Sequence, residues 1–517
     1  MKKLPIGIQT FENMIRENFA YVDKTSFVAG LRDEGKYYFL SRPRRFGKSL
    51  LLSTIKAAFQ GKKELFQGLY LEHNWDWETV HPVVHVSFGS GVTRSLDELQ
   101  GAFSYILDEH AKAYAITSVY TDLRTRFADL IKTLHDTFGR QVVVLVDEYD
   151  KPILDNIENP DLAREVREEL KNYYSVIKDS DPYIRFVFIT GVSKFSKVSL
   201  FSGLNNLNDI TLDKRYSALC GYTQEDLETV FADRLHGVDL EQIRLWYNGY
   251  NWLGREVYNP FDILLYLDSQ ELRPYWFETG TPTFLVKLLQ QGKYHIPALE
   301  DLTTSEKLLG SFDVEAVEVE TLLFQTGYLT IKSVQQLAGT RRFRLGYPNL
   351  EVKQSLTDAL LPRLTGVLAA SEAAKFDAYD ALAAVNLDGL RSIFHAFFAS
   401  IPADWYRKNQ LAGYEGYYSS IFYCYFAALG LEVIPEDTSS HGRIDLTVKL
   451  DNRVFIFEFK VLGKNAAPGS ALDQIKRKGY ADKYAALGTT VYLIGVEFEP
   501  EERNIAGFAW EEVENAS

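Results

Sequence analysis

The sequence predicts a multidomain α/β protein, and three features carry that reading. Over the first 215 residues, apolar runs of strand length alternate with helical patterns, which implies a parallel sheet flanked by helices. The chain has 517 residues, too many for one core, and ~100–200 residues per domain suggests three or four domains. Near the carboxyl end a helix, three strands, a helix and a strand follow one another in an αβββαβ order.

Composition narrows the function classes. Hydrophobic content of 46% and charged content of 24% are ordinary for soluble globular protein. No apolar run approaches the ~20 residues that a spanning helix needs, so no membrane partner is expected. The opening "MKK" is not followed by a signal-peptide core, because Pro5, Gln9, Thr10 and Glu12 interrupt it. Cys220 and Cys424 lie far apart and make no metal-ligand spacing, which fits a reducing cytoplasm. The net charge of −14 argues against non-specific coating of nucleic acid and leaves room for a local basic groove.

The first strand is "KYYFL" (36–40), with Pro43 in the turn after it. "GKSLLLSTIKAAFQ" then has helical spacing, with Leu51, Ile55 and Phe59 on one face and Gly61 as a stop signal. Strand, turn and helix form the setting of the phosphate-binding loop G-x-x-x-x-G-K-[ST]. Gly47, Lys48 and Ser49 supply its second half, while Arg42 stands where the first glycine should be. Backbone N–H groups of the loop and helix start, from Arg45, Phe46 and Gly47 to Leu50, would hold the phosphates, where the helix dipole favours anions. Lys48 would reach the outer phosphates and the Ser49 hydroxyl would ligate magnesium. The bulky Arg42 replaces a glycine whose role is close backbone approach, which points to slow hydrolysis. A basic turn with a chance G-K-S is the alternative.

"RQVVVLVDEYDKP" favours the nucleotide. Five apolar residues (142–146) are what a strand buried on both faces looks like, and they end in Asp147 and Glu148. The carboxyl end of such a strand is the ligand edge of the sheet. There Asp147 can hold the magnesium, directly or through water, and Glu148 can polarise the attacking water. Two motifs in this order, about a hundred residues apart, outweigh a basic turn plus an acidic loop. Between them lie the strand "PVVHVSF" (82–88) and helical patterns at 95–114 and 121–138. After them come a helix near 163–177 and the strand "IRFVFIT", ending at Thr190. Thr190 or Ser193 either senses the outer phosphate from that edge or caps the strand. Arg185, Lys194 and Arg215 are candidates for the cation that completes the site.

"RPRRFGKS", "DEYDKP", "LCGYT" (219–223), "WYNGYNW" (246–252) and "YNPFDIL" (258–264) together resemble one bacterial family, the predicted AAA-ATPase-like proteins. Those proteins usually end in a PD-(D/E)XK nuclease-like domain, and the resemblance runs from about residue 4 to beyond residue 500. It implies a P-loop NTPase fold that takes ATP and Mg2+, with the Arg42 form of the loop usual in the family.

In the middle of the chain, "GYTQEDLETVFADRL" begins a helix with Thr223 as N-cap, and the pattern to about residue 266 reads as a helical lid. Trp246, Tyr247, Tyr250 and Trp252 are read as core in preference to a base-stacking surface. Residues 314–348 give a helix and a hairpin turning at "LAGT", a winged-helix-like region. Arg341, Arg342 and Arg344 on its second strand are read as a solvated edge. Helical patterns from 351 to about 398 form a connector. The expected domains are therefore 1–215, 216–348, 349–410 and 411–517.

At the carboxyl end, "YEGYYSSIFYCYFAALG" (414–430) is a helix and "LEVIP" a strand. A hairpin follows: "RIDLTVKL", the turn "DN", and "RVFIFEFKVL". With Asp451 and Asn452 as the turn, Leu450 pairs with Arg453 and Asp445 falls opposite Glu458. Lys460 shares their face, while Phe455, Phe457 and Phe459 point to the other. Paired carboxylates repel, and a divalent cation is the sharper compensation than an ion pair with Lys460 alone. This arrangement is similar to the PD-(D/E)XK fold, with Asp445, Glu458 and Lys460 matching its core motif and Glu415 matching its helical acid. The resemblance makes Asp445, Glu458 and Glu415 metal ligands. Tyr480 follows Gln474 by six residues, so the Q-x-x-x-Y arrangement of some members is not met. Residues 441–483 hold nine Lys or Arg against five Asp or Glu, as a groove for a phosphate backbone should. The whole reads as a cytoplasmic ATPase coupled to an Mg2+-dependent nuclease acting on DNA or RNA, with homo-oligomerisation left open. The alternative is a nucleotide-dependent signalling or assembly switch whose nuclease fold only binds nucleic acid or a partner.

Overall fold

The computed structural model describes all residues except 195–199, 202–203, 205, 279–288, 290–294, 307–308, 311–317, 367–368, 403–414, 464–466, 486–487 and 514–517. Residues 314–317, Tyr414 and Lys464, which entered the patterns above, lie outside the described residues. The chain forms two compact units, Met1–Gly280 with Thr303–Asn349, and Thr281–Leu302 with Leu350–Ser517. Among the described residues no helix is long and apolar enough to cross a membrane.

The first unit is built on a parallel sheet of β1 (Tyr37–Ser41), β2 (Val83–Ser87), β3 (Val142–Asp147), β4 (Ile184–Gly191) and β5 (Asn208–Asp209), in the order β2-β3-β4-β1-β5. Val142, Val143, Val144, Leu145 and Val146 are all buried, as a strand covered on both faces requires. Each such side chain contributes ~1.5–3 kcal/mol of burial. β4 lies between β1 and β3, so the strands that lead into the G-K-S and D-E motifs are not neighbours. Leu40 pairs with Thr190 and Val146 with Ile189, which brings the ends of all three strands to one edge.

The expected helices stand at Lys48–Phe59, Leu96–Ala113, Leu123–Phe138 and Pro160–Asp179. Ser95, Asp122 and Asn159 cap the last three by accepting first-turn N–H groups. Farther along, Thr223 and Asp226 form a capping box on Gln224–Val230. That helix, Leu240–Tyr247 and Pro260–Ser269 share a core of Leu227, Phe231, Ile243, Tyr247, Ile263 and Leu267. The helix Val319–Thr326 leads to a hairpin that turns through Gly339. With β6 (Leu302–Ser305), β7 (Thr330–Leu337) and β8 (Thr340–Gly346) form a sheet in the order β6-β8-β7.

The second unit carries the helices Leu350–Thr365, Ala369–Ala383, Leu387–Ser400 and Glu415–Ala428 before its sheet. The strands are β9 (Glu432–Ser439), β10 (Gly442–Leu450), β11 (Arg453–Val461), β12 (Thr490–Glu499) and β13 (Asn504–Val513), in the order β13-β12-β11-β10-β9. Only β11 and β12 pair in parallel, and the helix Ser470–Lys478 makes their crossover. β13 is an antiparallel addition to the expected αβββαβ order. Phe422 and Phe426 of Glu415–Ala428 pack on Phe457 and Phe459, which fixes the aromatic face of β11. The opposite face buries Ile444, Val454, Ile456, Val491 and Leu493 with Ile475, Tyr480 and Tyr484.

Candidate functional site

The phosphate loop turns at two left-handed residues, Arg45 (φ +70°) and Gly47 (φ +89°), immediately before the helix Lys48–Phe59. Arg45 holds this conformation at a cost of about 1 kcal/mol, which its surroundings must offset. Lys48 is buried at the helix start, and its Nζ donates to Arg42 O and Pro43 O at 2.9 Å each. Burial pulls the Lys48 pKa down, and Asp147 and Glu148 act against that.

Arg42 does not crowd the phosphate position. Its side chain is fully buried, with Nη1 donating to Ser41 O (2.8 Å) and Thr211 O (3.0 Å) and Nη2 to Tyr216 O (3.3 Å). Its guanidinium lies over the Trp252 ring, 4.1 Å from the centroid. Phe46 meets Tyr250 and Trp252 edge-on at 4.8 and 5.4 Å, and its carbonyl accepts from Gly221 N at 3.2 Å. The motifs "LCGYT" and "WYNGYNW" therefore support the loop from beneath, and Tyr250 and Trp252 are core.

A cleft of about 330 Å³ opens on this loop. Lys48, Ser49, Glu148 and Asp150 line it, and Ile8 and Phe261 contribute apolar surface. Glu148 is left-handed (φ +53°), a strained turn directly after β3. Burial and the Asp147 charge push its pKa up, while Lys48 and Arg44 oppose them. Asp147 is buried beside it and accepts a 2.7 Å hydrogen bond from the Thr190 hydroxyl. Thr190 is fully buried, and neither it nor Asp147 lines the cleft directly; Glu148 and Asp150 do.

Asp150, absent from the sequence reading, accepts from Val192 N (3.2 Å), Ser193 N (2.8 Å) and Ser193 Oγ (2.7 Å), tying the end of β4 to the acidic turn. Its place in "DEYD" was the only sign of it. The apolar surface at Ile8 gave no sign, because it reaches the loop only through the fold. The three cations considered from sequence are engaged elsewhere. Arg185 begins β4, at the far end from Thr190, and reaches Arg32 O at 3.5 Å. Lys194 pairs with Asp209 at 2.9 Å, and Arg215 with Asp213 (2.7 Å) and Glu34 (2.6 Å).

In the second unit the β10–β11 pairing runs from Leu450–Arg453 to Leu446–Phe457. Asp445 and Glu458 are the next residues on each strand. The ladder stops there because Asp445 Oδ2 itself accepts the Phe459 N–H at 2.8 Å. Lys460 Nζ lies 3.1 Å from Glu458 Oε1 and 3.7 Å from Glu415 Oε1. Asp445, Glu458, Lys460 and Glu415 thus stand at one location, with Glu415 the most exposed acid of the set.

Burial pushes the Asp445 carboxyl up, and burial together with Asp445 pushes Glu458 up. Burial also opposes the Lys460 charge, but Glu458, Glu415 and Asp445 outweigh it and hold the ammonium up. Glu458 is almost fully buried, and its Oε2 has no hydrogen-bond partner among the described residues. A buried carboxylate oxygen without a donor costs ~1–3 kcal/mol, and a divalent cation would remove that cost. Among the described residues no group of three or more His, Cys, Asp and Glu side chains converges on one metal position. Neither Ser49 with Asp147 nor Asp445 with Glu458 and Glu415 therefore forms a complete protein ligand set, and at each site a magnesium ion would take its remaining ligands from water and phosphate oxygens, as magnesium commonly does.

Two further residues reach the second site. Gln474 Nε2 donates to Glu458 Oε1, and Tyr480 OH donates to Arg443 O at 2.8 Å. The six-residue spacing stands, but Gly479 (φ +58°) ends the helix and turns the chain so that Tyr480 returns to the same face. Gly495, opposite Glu458 on β12, makes room: a Cβ there would lie 2.4 Å from Leu472 N.

Residues 5–201 match a family described as predicted AAA-ATPase, and residues 413–508 match the PD-(D/E)XK nuclease superfamily. The chain is similar to an uncharacterized protein in the vnfD 5' region of Azotobacter chroococcum mcd 1. The two are 55% identical over 512 residues, which cover 99% of each chain.

Proposed function

The chain belongs to the family of predicted AAA-ATPases with a PD-(D/E)XK nuclease superfamily domain, and on that premise we propose an ATP-hydrolysing protein coupled to a metal-dependent nuclease. Its substrates are ATP and the phosphodiesters of DNA or RNA, its cation is Mg2+, and its compartment is the cytoplasm. Residues 1–215 form the ATPase domain, 216–348 the lid and winged-helix-like region, 349–410 a connector and 411–517 the nuclease.

In the first site Arg45, Phe46, Gly47 and Leu50 present backbone N–H groups to the phosphates, and Lys48 meets the outer ones. Ser49 and Asp147 hold the cation, Thr190 orients Asp147, and Glu148 takes the proton of the attacking water. In the second, Asp445 and Glu458 would hold the cation, and Glu415, beside Lys460, would be a further ligand. A bound divalent ion supplies Lewis-acid charge and a more acidic water. Gln474 fixes the Glu458 carboxylate, and Lys460 delivers positive charge to the attacked phosphodiester.

The observation that carries the nuclease reading is the buried Glu458 Oε2, which has no hydrogen-bond partner among the described residues, beside Asp445 and Lys460. Purified protein incubated with mixed DNA and RNA, Mg2+ or Mn2+, with and without ATP, should cut one nucleic acid in the presence of metal. A wild-type protein that binds nucleotide and cuts nothing would hand the lead to a nucleotide-dependent switch. The two carbonyls that hold Lys48 back in the loop favour that second reading, since nucleotide must displace them.

A further inference from the structure

The phosphate loop carries three arginines, and each has a different environment. Arg42 is buried on Trp252. The Arg45 guanidinium lies 4.9 Å from the Phe261 centroid, held on the apolar surface of the cleft. Arg44 is exposed and lines the cleft with Lys48, Ser49 and Glu148. Its guanidinium has no hydrogen-bond or ion-pair partner among the described residues, and it is near enough to Glu148 to favour that carboxylate's charge.

The backbone at Arg44 is nevertheless anchored. Its carbonyl accepts from Trp276 Nε1 at 3.3 Å, and the neighbouring Pro43 ring leaves no space for a Cβ on Gly327. A cation on an anchored backbone position, lining the same cleft as the acid proposed to activate water and free of any competing partner among the described residues, can swing onto an anion bound there. Arg185, Lys194 and Arg215 are all committed to other partners.

We propose that Arg44 is the arginine that completes the nucleotide site in cis, meeting the outermost phosphate of the bound triphosphate as it is transferred to water. This rests on the ATP-hydrolysing reading of the first site. The water oxygen bonds to the outermost phosphorus, and the bond from that phosphorus to the bridging oxygen breaks. The electron pair of that bond leaves with the diphosphate, and a proton of the water passes to Glu148. Charge spread over the transferred oxygens is what a guanidinium fork stabilises, and an arginine supplied in cis does so without a partner chain.

The test uses the full chain with ATP and ADP, comparing wild type, Arg44→Ala, Arg44→Lys and Lys48→Ala. Arg44→Ala should lower kcat by about a thousandfold and leave ADP affinity in calorimetry unchanged. Arg44→Lys should recover part of the rate, because it restores charge without the fork. The wild-type rate per chain should not vary on dilution. Wild-type turnover by Arg44→Ala would overturn the assignment alone. So would a rate per chain that rises with protein concentration, or loss of ADP binding in Arg44→Ala to the level of Lys48→Ala. A wild type that binds neither nucleotide would overturn the ATPase reading and this inference together.

Discussion

The Arg42 guanidinium carbon lies over Trp252, 4.1 Å from the ring centroid, with the side chain fully buried. Burial pushes its pKa down to about 10, so the charge persists at neutral pH, offset by three carbonyls and the ring. Arg42→Gly would restore the general loop pattern and remove all of these contacts. It should lower the melting transition that ADP stabilises, by the equivalent of about 3 kcal/mol, since three buried acceptors lose their donor. Hydrolysis should not accelerate. Scanning calorimetry with ADP checks the first point, and a variant as stable as wild type but faster would mean that the arginine is an obstruction after all.

Glu148→Gln should keep nucleotide binding and lose turnover. Lys48 and the loop backbone are untouched by the change, and glutamine preserves the volume beside Asp147. On the proposed reading only the group that takes the water proton disappears, a loss expected to cost ~10²–10⁴-fold in rate. Calorimetry with ATP and a phosphate-release assay separate the two effects. Unchanged phosphate release would move the proton acceptor to another group, with Asp150 next in line.

The strands and helix that carry the two candidate motifs were legible in sequence, because their patterns are local. Gly47, Lys48 and Ser49 follow a strand, and Asp147 and Glu148 end one, so periodicity placed the elements and the motif pattern picked out the residues. The hairpin was equally legible, because a two-residue turn at Asp451 and Asn452 fixes the pairs as far as Leu446 and Phe457. What the sequence hid are relationships set by close approach. Arg42 looked like an intrusion because nothing local tells that Trp252, over 200 residues later, receives it. The six-residue spacing of Gln474 and Tyr480 gives no sign of the contact between Gln474 and Glu458, which depends on Gly495 in another strand letting the helix press onto the sheet.

Gly495→Val tests that packing directly. The new Cβ would lie 2.4 Å from Leu472 N, a backbone atom, so the helix Ser470–Lys478 must retreat. Overpacking of this kind costs ~1–3 kcal/mol, and the retreat should also draw Gln474 away from Glu458. Cleavage should therefore fall further than stability, and Gln474→Ala should reproduce the cleavage loss without the drop in melting temperature. Full cleavage by both variants would reduce Gln474 to a packing residue.

Asp445 and Glu458 make the second unit sensitive to pH in the presence of a chelator. Both folded-state pKa values are raised toward neutrality, chiefly by burial, and for Glu458 also by Asp445. A raised carboxyl binds its proton more tightly folded than unfolded. The stability this gives is therefore complete below the ordinary carboxylate range and is lost as pH rises toward neutrality. In EDTA the melting temperature of this unit should fall between about pH 4, an ordinary carboxylate value, and neutral pH. Asp445→Asn removes one of the two charges while its side-chain oxygen can still accept the Phe459 N–H. It should flatten that decline and melt higher than wild type at pH 8 in EDTA. Added Mg2+ or Mn2+ should raise the wild-type melting temperature at pH 8 and barely move the variant, which should not cleave. Lys460→Ala should still be stabilised by metal while cutting slowly, because it leaves both carboxylates in place. Equal metal stabilisation of wild type and Asp445→Asn, or cleavage by the latter at the wild-type rate, would remove Asp445 from the metal site.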